Sequence, residues 1–200
     1  MRLTLFLAAA LVFSAPPALA FDEADALFGK IKMLCGTAYE GRVVTSDPRD
    51  ADMAGQRLVM HVAQCSDEAI AIPFHVGENR SRTWRLTRIG NGLRLKHDHR
   101  HEDGTPDKVT MYGGDTASPG SETRQEFPVD EESKAMFLAN ELTASVTNVW
   151  AIEIVPGERF VYELSRKDRL FRVEFDLSKP VEAPPPPWGD QGNSGAGGQP

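Results

Sequence analysis

From Phe21 to Leu34 the apolar residues Leu27, Phe28, Ile31, Leu34 and then Cys35 recur every three or four positions, the spacing of one helix face. Asp22 stands where an N-cap belongs and Gly36 where the chain must leave the helix, so one amphipathic helix is predicted there. Beyond Gly36 the period switches to two. Leu58, Met60 and Val62 alternate with Val59, His61 and Ala63; Ile70, Ile72 and Phe74 follow, then Trp84 and Leu86, then Leu93 and Leu95. The C-terminal part repeats the pattern with Trp150, Ile152 and Ile154, with Phe160, Tyr162 and Leu164, and with Phe171, Val173, Phe175 and Leu177. Charged residues such as Glu153, Glu163, Arg172, Glu174 and Asp176 fill the positions between.

Strict alternation gives each strand one buried and one wet face, which is the pattern of an antiparallel sheet. Gly90-Asn91-Gly92, Asp103-Gly104, Pro156-Gly157 and Lys167-Asp168 are short turn signals between consecutive strands. One further short helix is expected near residues 130–138, with Glu131 and Glu132 in its first turn, where negative charge is favourable. The prediction is an all-β fold of about nine or ten strands. Such a meander leaves open edges unless it closes, so an up-and-down antiparallel barrel is preferred, with a β-sandwich as the alternative.

The ends of the chain read differently. Arg2 precedes an apolar run from Leu3 to Phe13 and the small-residue stretch Ala15-Pro16-Pro17-Ala18-Leu19-Ala20, the composition of a secretory signal over residues 1–20. The run is shorter than the roughly 18 residues a spanning helix needs, so no membrane span is expected in the mature chain, and the expected location is periplasmic or secreted. Ala183 to Pro200 contains 10 Pro or Gly among 18 residues and is read as a disordered tail. Within it, Pro184–Pro187 would be a stiff spacer and Trp188 a possible anchor for a Pro-binding partner. The folded domain is then 21–182. Its two cysteines, Cys35 and Cys65, are expected to form one disulfide that ties the helix to an early strand.

Composition narrows the function classes. The formal charge is −7, with 22 basic against 29 acidic residues, and nucleic-acid sites rest on clustered basic excess, so no nucleic-acid partner is expected. No Gly-x-Ser-x-Gly elbow or phosphate-cradling glycine loop occurs, and Gly113-Gly114-Asp115 and Ser118-Pro119-Gly120-Ser121 read as loop. No catalytic residue and no cofactor are assigned.

One cluster stands out: His97, His99 and His101, with Asp98, Glu102 and Asp103 around them. On a strand, positions 93, 95, 97, 99 and 101 share a face, so the imidazoles continue the inward row of Leu93 and Leu95. Three readings follow. The strand end can be a charged, solvated hairpin tip. It can present His97 and His99, with Trp84 and Tyr112, to a small-molecule ligand inside the barrel. Or His97, His99 and His101 can hold a metal ion or haem, completed by Glu126, Tyr112, His61 or His75, since imidazole is a common ligand for zinc, copper and iron.

A helix followed by about ten meandering strands resembles the lipocalin-like, or calycin, barrels over roughly residues 36–181. The Gly-x-Trp of lipocalins is replaced here by Gly36-Thr37-Ala38-Tyr39-Glu40-Gly41. The segment Arg94–Asp107, RLKHDHRHEDGTPD, with MYGGDT after it, also resembles uncharacterised secreted proteins of Gram-negative bacteria. The barrel resemblance implies a cavity for one small apolar or amphipathic ligand. A metal carrier or metal-dependent enzyme, and a cell-envelope interaction module using the tail, are the alternatives.

Overall fold

Residues 22–190, described by a computed structural model, begin with helix α1 (Asp22–Lys32). Acidic Asp22, Glu23 and Asp25 occupy its first turn and Lys30 and Lys32 its last, both favourable to the helix dipole. Gly36, at φ +81°, takes the chain out of the helix, and its N–H donates to Val62 O at 2.7 Å. Cys35 and Cys65 form the expected disulfide.

The strands are β1 (Ala38–Val43), β2 (Leu58–His61), β3 (Gln64–Cys65), β4 (Ala69–Val76), β5 (Asn79–Ile89), β6 (Gly92–His99), β7 (Tyr112–Asp115), β8 (Arg124–Pro128), β9 (Val149–Val155), β10 (Arg159–Arg166) and β11 (Arg169–Val181). All pairings are antiparallel, in the order β7-β6-β5-β4-β2-β1-β11-β10-β9-β8, with short β3 beside β4. Pairing of β1 with both β2 and β11 joins the N-terminal and C-terminal halves of the meander. This is a nearly closed ten-strand barrel; the barrel expectation, not the sandwich, describes it.

The seam lies between β7 and β8. Asp130 N–H donates to Gly113 O at 2.9 Å, and Gly113 N–H donates to Ser133 Oγ at 2.8 Å. Ser133 belongs to α3 (Glu131–Ala139), the second expected helix, whose N-cap Asp130 accepts from Ser133 N–H. The expectation that Gly113-Gly114-Asp115 form a loop is corrected here, because they belong to β7. A Cβ on Gly113 would lie 1.8 Å from Leu95 O, and one on Gly114 would lie 1.7 Å from Pro128 O. Two glycines therefore let three strands approach at the seam, and two residues without side chains show no alternation.

Inward residues from every long strand form one apolar cluster, in which Trp84, Trp150, Phe127, Phe160 and Phe175 are fully buried. The outer face carries ion pairs between strands, including Glu163 of β10 with Arg124 two strands away at 2.8 Å and with Arg172 of the adjacent β11 at 3.0 Å. Two outward residues of β6 are nevertheless buried. Lys96 lies under the start of α3, 2.7 Å from Asp130, and Asp98 pairs with Arg85 at 2.7 Å beside the C-terminal segment.

After β11, Ala183–Asp190 follows the outside of the barrel. Trp188 N–H donates to Arg80 O at 3.1 Å, Arg80 Nη1 donates to Pro186 O at 3.1 Å, and Gln64 Nε2 donates to Asp190 Oδ2 at 2.9 Å. This part of the expected disordered tail is thus laid against the wall. Residues 191–200, and the expected signal at 1–20, lie outside the described residues. Among the described residues no helix is long and apolar enough to cross a membrane.

Candidate functional site at the barrel mouth

The β5–β6 ladder gives the barrel's interior its polarity from one end to the other. Leu86 pairs with Leu95, Trp84 with His97, and Arg82 with His99, so the inward surface changes from aliphatic to aromatic to ionisable along five residues of each strand. The aliphatic end is covered by α1. Arg88, beside the β5–β6 turn, forms an ion pair with Asp25 and lies 4.3 Å over the Phe28 ring, fixing the helix there.

The opposite end is the mouth. Its rim includes a segment that hydrophobic periodicity does not signal: a 3-10 turn, Pro48–Asp50, running into the short helix α2 (Ala51–Ala54). Asp47 starts the turn by accepting from Arg49 N–H at 2.9 Å, with Pro48 in the first helical position. Arg169, at the start of β11, holds this rim by donating to Asp50 Oδ2 at 2.6 Å and pairing with Asp47 at 3.2 Å.

Inside the rim is a cavity of about 190 Å³. Its aromatic wall is a stack: Phe74 and Trp84 have centroids 4.8 Å apart, and Trp84 and Tyr162 4.3 Å, both pairs nearly parallel. Phe171, Leu164 and Met53 add apolar surface, while Asp50, Arg169, Arg82, His97, His99 and Tyr112 supply the polar part. The four residues expected to meet a ligand, His97, His99, Trp84 and Tyr112, therefore line one cavity. His101 does not join them; it is exposed beyond the end of β6, and its N–H donates to Thr105 O at 2.9 Å.

Hydrogen bonds fix the state of these groups. Tyr112 O is a carbonyl and can only accept, so His97 Nδ1, 3.0 Å away, carries the proton. Nε2 then accepts from the Tyr162 hydroxyl at 2.8 Å. Burial brings the His97 pKa down to about 3, outweighing the opposing bond to Tyr112 O. Tyr112 OH and His99 Nε2 lie 3.0 Å apart, and burial, with Arg82 nearby, brings His99 down to about 4. Burial pushes Tyr112 up to about 12 and Tyr162 well above the usual phenol range. At neutral pH both histidines and both tyrosines are uncharged.

No family model, no curated protein and no solved structure matches this chain. The site must therefore be read from its own chemistry. Among the described residues no group of three or more His, Cys, Asp or Glu side chains is arranged to hold a metal ion, and both nitrogens of His97 already have partners. Of the proposed completing ligands, Tyr112 is bonded to His99. His75 lies on the outer wall beside Val59 and the C-terminal segment, where burial, with Arg80 nearby, lowers it to about 4. His61 and Glu126 are likewise absent from the cavity lining.

Arg82, Tyr162, Phe171 and the Asp50–Arg169 rim were missed as site residues. For Arg82 a signal existed, because stepping back by two from Leu86 and Trp84 reaches it, and strand parity places it inside. The rim comes from distant segments and has no such period.

Proposed function

We propose that this protein is an exported barrel that binds one small apolar or amphipathic ligand at its mouth. The observation that carries the reading is the cavity of about 190 Å³ at the mouth, with a stacked aromatic wall and neutral imidazole and phenol groups along one side. Ligand sites are typically concave, mostly apolar and furnished with a few polar groups that set orientation. The volume limits the ligand to about one aromatic ring with a short substituent, since benzene occupies engineered cavities of about 150 Å³. Export is supported by the signal-like residues 1–20 and by the disulfide, which persists in oxidising compartments.

Calorimetric titration with benzyl alcohol tests the reading. One saturable site is expected, and Leu164→Trp, which adds bulk at the cavity wall, should abolish it while the barrel stays folded by circular dichroism. Failure of both benzyl alcohol and its acid counterpart benzoate to bind, or binding that is unchanged in Leu164→Trp, would overturn the mouth as the site.

A further inference from the structure

The charges at the mouth are not balanced. Arg169, on one side, is held by Asp50 and Asp47. Arg82, on the other, has no carboxylate partner among the described residues, and its one side-chain hydrogen bond runs from Nη1 to Asn79 Oδ1 at 3.1 Å. A guanidinium has five N–H donors, so most of this one's capacity is unused. Most arginines around the barrel are answered by an acid, as Arg85 is by Asp98, Arg94 by Asp115, Arg124 by Glu163 and Arg172 by Glu163. Arg82 is the one left unanswered on the cavity wall.

The surroundings sharpen the contrast. Tyr112 and Tyr162 could oppose the charge of Arg82 only as phenolates, and both are neutral phenols at physiological pH. His99, facing Arg82 across the β5–β6 ladder, is neutral as well. A half-buried cation among aromatic rings and neutral donors is costly unless something compensates it. An entering anion would do so in a setting where water screens the interaction poorly. The planar guanidinium fork suits a carboxylate, which it can hold by two parallel N–H···O bonds.

We infer that the ligand is a small organic acid, a single-ring or similarly compact carboxylate, whose carboxylate meets Arg82 and whose apolar body lies on the Phe74–Trp84–Tyr162 stack. The inference rests on the proposed ligand-binding reading and specifies the chemical class of its ligand. Neutral His99 and Tyr112 stand next to the anchored carboxylate as hydrogen-bonding partners, and the Asp50–Arg169 pair closes the far side without offering a competing free cation.

The test compares benzoate with benzyl alcohol, two ligands of nearly the same shape that differ in charge, by calorimetric titration of the wild-type protein and of Arg82→Gln and Arg82→Lys. Wild type should bind benzoate about tenfold or more tighter than benzyl alcohol, as expected for hydrogen bonds between charged groups. Arg82→Gln should bring the ratio of the two affinities to about one, whatever it does to benzyl alcohol binding itself, and Arg82→Lys should restore part of the preference. Equal binding of the two ligands by wild type, or a preference that survives Arg82→Gln, overturns the organic-acid inference and leaves the ligand-binding reading standing. Failure of both ligands to bind overturns both. The melting temperature of Arg82→Gln separates lost affinity from lost fold, and no fall is expected because the substitution removes an uncompensated charge.

Discussion

The two ends of the barrel are built on the same strands and finished in opposite ways. At the α1 end, Ala24, Leu27, Phe28 and Ile31 complete the apolar core, and the ionic contacts, Arg88 with Asp25 and Lys30 with Glu122, stay at the periphery. At the mouth, the inward positions of the same β5–β6 ladder become His97, His99 and Arg82, and a cavity remains. One end uses inward positions for stability, and the other gives up packing for hydrogen-bonding groups.

This contrast can be broken first at the covered end. Phe28→Ala removes a fully buried ring that completes the core, and it should cost roughly 3–5 kcal/mol in urea unfolding while leaving benzyl alcohol binding at the mouth intact. A cost below about 1 kcal/mol would mean that α1 is not an integral part of the core.

A smaller effect should belong to the mouth and to pH. His97 and His99 are held neutral, with folded pKa values of about 3 and about 4 against an ordinary 6.5. Because these values are depressed, the unfolded chain takes up protons first, so stability is full above about pH 6.5 and falls as pH drops toward 4 and below. For His97 alone the loss at pH 5 is about 2 kcal/mol. His61 and His75 are shifted in the same direction by burial and add to the slope. Urea unfolding at pH 7 and pH 5 measures the fall, and His99→Gln should make it shallower. An identical slope in His99→Gln would contradict the state assigned to the mouth.

The smallest effect is expected outside the cavity. His101→Ala alters an exposed residue past the end of β6 and should change stability by less than about 0.5 kcal/mol and leave benzyl alcohol binding unchanged. A clear loss of binding would return His101 to the site.

How far these features could be read from residues alone depends on what each asks of the chain. Alternation exposed the long strands because each buries one face, and it placed His97 and His99 inward correctly. It failed for β7, where Gly113 and Gly114 have no side chains to alternate, and for Lys96 and Asp98, outward residues that α3 and the C-terminal segment cover. It also stopped short of Arg82, because a charged residue near a strand end reads as solvated even when its parity points inward. The rim around Asp50 and Met53 depends on contact with Arg169, about 120 residues away, and no local pattern encodes such a contact.

The most direct measurement is native mass spectrometry of the protein recovered from its own compartment without an affinity tag. A single organic molecule retained at one per chain, and absent from Leu164→Trp, is the predicted result. A bare polypeptide mass that stays unchanged when small apolar and acidic ligands are added, or a retained metal ion that is lost when His97 and His99 are replaced by Ala, would contradict an organic-ligand site at the mouth.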